Sequence, residues 1–364
     1  MRLPSIRRAV QLVALNIAIA ACLLEVMLRA QQAIWPLYDL AIGPETLFVG
    51  LSNELNHVHA DPDWDSAGIQ KMDEPNPPDC APRVLFLGDS FMQGLARSDT
   101  IPVHVRDFFQ SSLGRQICVF NAGTSSYSPS IYIVQAKQLL PLLHPDFVVV
   151  DIDETDLYDD YYRYRELTSR DAAGSIDAVH LTPLFFQFHQ GLIDSTNKPL
   201  YLHRLLAKLY FSKIEYPRIF AEYVAARPAD IFVVSRLPAD KARQEYGDAI
   251  GYFRQTLTDL TTTILARMSD PDRLIYIHHP HLQHLAGGGD VFNDVVAATV
   301  REVAGANKVR FYDATDQLRI EFGGQPERYY IPNDMHFNSR GLRAYARAVA
   351  RYLAAPLFDN DHAD

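Results

Sequence analysis

A CxxC cysteine pair, an excess of basic charge and the glycine signatures of nucleotide sites are all missing from this chain. Its three cysteines, Cys22, Cys80 and Cys118, contain no CxxC pair, which excludes a zinc ribbon, a thioredoxin-type redox site and a disulfide-dense scaffold. Lys and Arg total 34 against 44 Asp and Glu, a formal net charge of −10. Binding to nucleic acid rests on Lys and Arg neutralising phosphates, so no nucleic-acid partner is expected. GxSxG, Walker A, HExxH and GxGxxG patterns are absent, and the enzyme classes they mark gain no support. What remains is ordinary: 48% hydrophobic and 21% charged over 364 residues, a globular composition with length enough for one large or two ordinary domains.

The first thirty residues differ from the rest. Arg2, Arg7 and Arg8 precede about twenty residues that are apolar apart from Gln11, Asn16 and Glu25, roughly the length that crosses a bilayer core. Arginines on the N-terminal flank place that end in the cytoplasm and the remainder outside it, on the periplasmic face in a Gram-negative cell. A cleaved signal peptide and a lipobox at Ile19-Ala20-Ala21-Cys22 are the alternatives, and both also export the body of the protein. The expected organisation is an anchor over 1–30, a proline-interrupted connecting region over 31–82, an α/β domain over 83–356 and a tail over 357–364. A Tyr-rich insertion over 157–228, the candidate lid, interrupts the domain.

From Arg83 onward apolar runs alternate with helical stretches. Strands are expected at 84–88, 117–121, 147–153, 231–235, 274–278 and 309–313, with helices at 101–113, 130–143, 240–268, 290–304 and 339–353. Strands separated by helices form a parallel sheet covered on both faces, a three-layer α/β/α sandwich. Ligands in such sheets bind beyond the carboxyl ends of the strands, so the residues just after each run matter most. After the first run stands Gly88-Asp89-Ser90-Phe91, a turn that exposes a hydroxyl at a helix N-terminus, where backbone N–H groups stabilise negative charge. After the second comes Asn121-Ala122-Gly123-Thr124-Ser125. Before the last helix lies Asn333-Asp334-Met335-His336-Phe337-Asn338. A serine needs a histidine to take its proton and a carboxylate to hold the imidazole, and Asp334 is two residues from His336.

VLFLGDSF, FNAGTSSYSP and NDMHFNSRG, in that order, resemble the motifs of the SGNH/GDSL hydrolases, most closely the bacterial members with an N-terminal membrane anchor. The resemblance spans about 83–353. It implies a flavodoxin-like α/β fold, Ser90 as nucleophile, His336 as general base and Asp334 as its orienting acid. It also implies an oxyanion hole from the Ser90 and Gly123 N–H groups and a third-block side chain. In that block the usual GxND is replaced by Asp153-Glu154-Thr155-Asp156, so Thr155 stands where the Asn amide is expected; losing one such donor costs ~100- to 1000-fold in turnover. The spacing DxH replaces DxxH. The function implied is an exported esterase cleaving acyl groups from envelope saccharide or lipid, with O-acyltransfer through the same acyl-serine as the alternative. A non-catalytic envelope-binding domain is a further one. No cofactor or metal is expected, and the oligomeric state is left open.

A rival reading rests on Phe147–Thr155, an apolar run followed by DxDxT, which resembles the first motif of haloacid-dehalogenase-type phosphatases with Asp151 as nucleophile and Asp153 as acid/base. It leaves the GDS and DMH motifs without a role. His278, His279, His281 and His284 cluster after the 274–278 run; without Cys ligands, and with Pro280 breaking helical spacing, His278 and His279 are read as substrate-edge residues together with Asp153 and Tyr158. Cys80 and Cys118, both near strand starts, are able to pair in an oxidising compartment.

Overall fold

In the computed structural model the described residues are 3–34, 64–65, 67–180, 199–215, 218, 247–268, 270–287, 291–332 and 334–358. The expected strand at 231–235 lies outside them. Among the described residues five strands form one parallel sheet: β1 (Arg83–Leu87), β2 (Cys118–Asn121), β3 (Phe147–Ile152), β6 (Leu274–His278) and β7 (Arg310–Asp313), in the order β2-β1-β3-β6-β7. Two short strands, β4 (Thr168–Arg170) and β5 (Ile176–Val179), make a separate antiparallel hairpin.

Period-two alternation explains the layers. Leu85, Leu87, Val148, Val150 and Tyr276 face one apolar layer, with helices Pro129–Leu143, Gly247–Met268 and Val291–Ala306 over it. Val84, Phe86, Val149, Ile275 and Ile277 face the other, beneath Ile101–Leu113, Thr315–Phe322 and Ser339–Phe358. The expected α/β/α sandwich is therefore the fold. Helix boundaries follow local chemistry: Thr100 caps Ile101–Leu113 by accepting from Val103 N, and Gly114 closes it in the left-handed region at φ 63, a conformation free of Cβ strain only for glycine. The last helix runs to Phe358, past the expected Leu353, with Pro356 in its final turn.

β1 is joined to β2 on one side and to β3 on the other, so the chain reverses direction across the sheet at their carboxyl ends. That is the crevice in which open α/β sheets bind ligands. Residues 64–82, expected only to connect, are tied to the edge strand: Gln70 N donates to Asn121 O and the Asn76 side chain pairs with both backbone groups of Val119. Cys80 and Cys118 form a disulfide there. An unpaired edge would otherwise present open donors and acceptors.

A second unit comprises 1–48 and 182–228. Its helix Leu3–Ile34 contains one stretch, Arg8–Gln31, long and apolar enough to cross a membrane by length and composition, a test that a signal sequence also passes. The carboxylate within it has a local task. Glu25 accepts from the N–H groups of Tyr201 and Leu202, capping the helix Tyr201–Tyr210, while Arg29 bonds Glu25 and lies over the Tyr201 ring.

Candidate active site

Ser90 opens a four-residue helix directly after β1, capped by Asp89, whose carboxylate accepts from Phe91 N at 2.9 Å. The hydroxyl Oγ lies 2.8 Å from His336 Nε2, and His336 Nδ1 lies 2.5 Å from Asp334 Oδ1. Asp334 Oδ1 also accepts the His336 backbone N–H at 2.9 Å. The two-residue spacing is thus sufficient: one tight turn brings the carboxylate onto both the ring and the backbone of its own histidine. That backbone N–H and the ring hold the Asp334 carboxyl below its usual range. The His336 and Asp334 side chains are 32% and 43% exposed, so a solute reaches this chain of groups. With the imidazole proton on Nδ1, Nε2 is the acceptor facing the serine.

The loop after β2 is laced to the serine turn. Asn121 Nδ2 donates to Gln70 Oε1 and Met92 O, Ser125 N donates to Gln93 Oε1, and Thr124 N donates to Gly88 O. Gly123 is required sterically: a Cβ there would meet Met92 Cβ at 2.6 Å and Gln93 N at 2.8 Å. Its N–H, however, donates to Asn121 Oδ1 at 2.9 Å. Thr155 is committed likewise, since both its N–H and its hydroxyl donate to Asp153 Oδ1, at 2.7 and 2.6 Å. Asp153 and Asp156 form a capping box for the helix Glu154–Tyr158. Two of the three expected oxyanion donors are therefore engaged in local bonds, and the Thr155 hydroxyl serves a cap.

The substrate-edge expectations are corrected by burial. Tyr158 is 5% exposed and packs in the core. His278 is fully buried against Asp313, 3.2 Å from its carboxylate, and His279 is buried against Asp151 and the Phe91 ring. Asp153 is 1% exposed and bonds His281 Nε2 at 2.7 Å. None of these four side chains meets solvent at a cleft edge. The phosphatase alternative fails for a related reason. Asp151 is 2% exposed and accepts from the Tyr345 hydroxyl at 2.7 Å, with His279 Nδ1 at 3.1 Å; a nucleophile enclosed this way does not reach a phosphoryl group.

Beyond β3 and β6 lies a buried group that no strand shows by itself: Asp89, Asp151, Asp153 and Glu154 with His279 and His281. His281 bonds Asp153 on one ring nitrogen and Glu154 on the other, at 2.7 and 2.6 Å. Burial alone would lower its pKa, but the Glu154 and Asp153 carboxylates outweigh that and hold it well above the ordinary histidine range. Burial and then the Asp153 charge raise Asp89, and the same two causes raise Asp156. One signal was present in the sequence. Asp151 and Asp153 are two apart at the end of a strand, hence on one face.

No family model matches the chain, and no curated protein matches it. Among solved structures it is similar to a lipase/acylhydrolase from Enterococcus faecalis, at 13% identity and TM-score 0.41 over 75% of this chain and 95% of that one. An acetylxylan esterase from Geobacillus stearothermophilus gives 13% and 0.44 over 76% and 95%. A two-domain esterase active on acetylated mannans gives 13% and 0.40, covering 76% of this chain but only 49% of the esterase. A likeness at this level does not bear on activity, which rests on the side chains themselves.

Proposed function

We propose that the protein is a serine esterase of SGNH/GDSL type that cleaves acyl esters through an acyl-Ser90 intermediate. The observation that carries this reading is the continuous line Ser90 Oγ–His336 Nε2, His336 Nδ1–Asp334 at 2.8 and 2.5 Å on a partly exposed edge. His336 takes the Ser90 proton as Oγ attacks the ester carbonyl, then returns it to the leaving alcohol. Asp334 fixes the tautomer and stabilises the imidazolium. The Ser90 backbone N–H, at the start of its helix, is the donor for the developing oxyanion. Because the Gly123 and Thr155 donors have partners already, turnover is slow unless substrate displaces those partners.

Export of the catalytic unit is part of the proposal. Arginines ahead of the apolar helix 8–31 orient it with the body of the protein outside the cytoplasm, and the Cys80–Cys118 disulfide suits an oxidising compartment. The acyl donor is accordingly assigned to envelope saccharide or lipid. The test is hydrolysis of p-nitrophenyl acetate by the full chain, with and without a glycan acceptor. Release of p-nitrophenol that is lost in Ser90→Ala supports the esterase; an acetylated acceptor in place of acetate makes the reaction a transfer. Release that Ser90→Ala does not alter overturns the reading.

A further inference from the structure

His279 and His281 follow β6, and Asp153 follows β3. These strands pair with Ile152 opposite His278, so the next residues on each, Asp153 and His279, emerge side by side. Pro280 turns the chain and His281 comes back to the same carboxylate. One donor atom from each of the three side chains lies within 4.8 Å of the other two, and all three residues are buried.

The nitrogens are already sorted. His279 Nδ1 is held by Asp151 at 3.1 Å and His281 Nδ1 by Glu154 at 2.6 Å. Each Nε2 thereby turns toward Asp153 Oδ2, at 3.7 and 2.7 Å respectively. Histidines that bind metal characteristically give their other ring N–H to a carboxylate, which fixes the tautomer and raises the basicity of the ligating nitrogen. Both histidines meet that condition here. In addition, His279 Nε2 is buried without a hydrogen-bond partner among the described residues, although it is aimed at a carboxylate. A buried imidazole nitrogen left so is costly unless something else occupies its lone pair. Four carboxyl groups surround these nitrogens, those of Asp89, Asp151, Asp153 and Glu154, and all four are buried.

We propose that His279 Nε2, His281 Nε2 and Asp153 Oδ2 form a site for one divalent transition-metal ion, with zinc the best match. Two imidazoles and a carboxylate suit zinc in softness and geometry. Bonds of about 2.0–2.2 Å place ligand atoms about 3.3 Å apart around a tetrahedral ion, between the two separations found here. Zinc takes the place of the hydrogen bond between His281 Nε2 and Asp153, whose proton leaves to solvent, and spreads these atoms slightly. The Phe91 ring packs against His279, His281 and His336, with centroids 4.2, 5.4 and 5.1 Å away. The ion thus stands behind the aromatic wall of the serine site and joins the ends of β3 and β6. Its role is to hold that wall; no step of ester cleavage passes through it. The proposal departs from the expectation of a metal-free protein and does not depend on Ser90.

The test is zinc stoichiometry of the full chain in detergent after equilibrium dialysis, followed by X-ray absorption of the zinc-loaded protein. We expect one zinc per chain, with two imidazoles and one further oxygen ligand about 2.0–2.2 Å away. His281→Gln should lose it, and Glu154→Gln, altering only the outer partner, should weaken binding about 10- to 100-fold. Ser90→Ala should bind zinc as the parent does while losing esterase activity, which separates this site from the hydrolase reading. Should His281→Gln fail to fold, the imidazole count in the parent still decides. No zinc retained, a spectrum with no or one imidazole, or unchanged stoichiometry in a folded His281→Gln would each overturn the site and leave only an ion-paired polar cluster.

Discussion

Two histidine–carboxylate arrangements flank Phe91, and they differ in access to water. His336 with Asp334 stands on a partly exposed edge and has one serine as its other partner. His281 is buried with a carboxylate on each ring nitrogen. The first imidazole keeps one nitrogen on the Ser90 hydroxyl, which in the proposed reaction cycles a proton between serine and a leaving group. The second has both nitrogens fixed and a pKa held high by two acids, after burial has opposed them. On the proposed reading the same residue types do opposite things: one exchanges protons with a substrate, the other is fixed between two carboxylates. Exposure and the identity of the second partner decide which.

The largest effect expected from breaking this contrast is at the exposed edge. Ser90→Ala should lower ester turnover by at least about a thousandfold with little change in unfolding free energy, as removal of a triad nucleophile does. Asp334→Asn should follow with a loss of roughly ten- to a thousandfold, less than for an enclosed triad acid because solvent shares its task. Steady-state kinetics on a p-nitrophenyl ester checks both. At the buried arrangement the readout moves from rate to stability. His281→Leu leaves Asp153 and Glu154 facing each other without their cation and should cost about 3–5 kcal/mol in denaturant unfolding of metal-free protein.

A pH series sharpens the comparison further. Burial raises Asp160 to about 6 and Asp159 to about 7. A carboxyl whose folded pKa is raised favours the folded state most at low pH, and that contribution is lost as pH rises through the folded value. Stability should therefore fall from about pH 4 to about pH 7 through these two groups. Asp160→Asn keeps an acceptor for Ser128 Oγ and Ser130 N and should remove about 1 kcal/mol of that decline between pH 5 and pH 8. Unfolding midpoints at the two pH values measure it. The smallest effect belongs to Thr155→Val. The hydroxyl caps Asp153, so the change should cost about 1 kcal/mol of stability and leave turnover within about twofold; a loss of a hundredfold would restore Thr155 as an oxyanion donor.

How much was legible beforehand follows the same division. The strands at 83–87, 118–121, 147–152 and 274–278 showed as largely apolar runs, because strands covered on both faces are mostly apolar, whereas the half-buried edge strand 310–313 showed by Phe311 and Tyr312 alone. Ser90, Asp334 and His336 were legible because each sits at a strand or helix end and two of them are neighbours in sequence. The buried cluster was not. Asp153 meets His281 only because β3 pairs with β6, and a 128-residue separation carries no such information. Nor does a sequence tell which acceptor a hydroxyl or amide finds, so Thr155 and Gly123 were assigned to a carbonyl when their protons sit on Asp153 and Asn121. Tyr158, expected at the substrate edge, lies instead in the core on the helix Glu154–Tyr158.

The claim on which most depends is that His336 activates Ser90 and no other hydroxyl. Incubating the full chain with a fluorophosphonate and mapping the adduct by mass spectrometry tests it without any assumption about the natural ester. A single adduct on Ser90 is expected, absent in Ser90→Ala and formed at least about a hundredfold more slowly in His336→Ala. An unmodified Ser90, or labelling that proceeds equally well in His336→Ala, would contradict it.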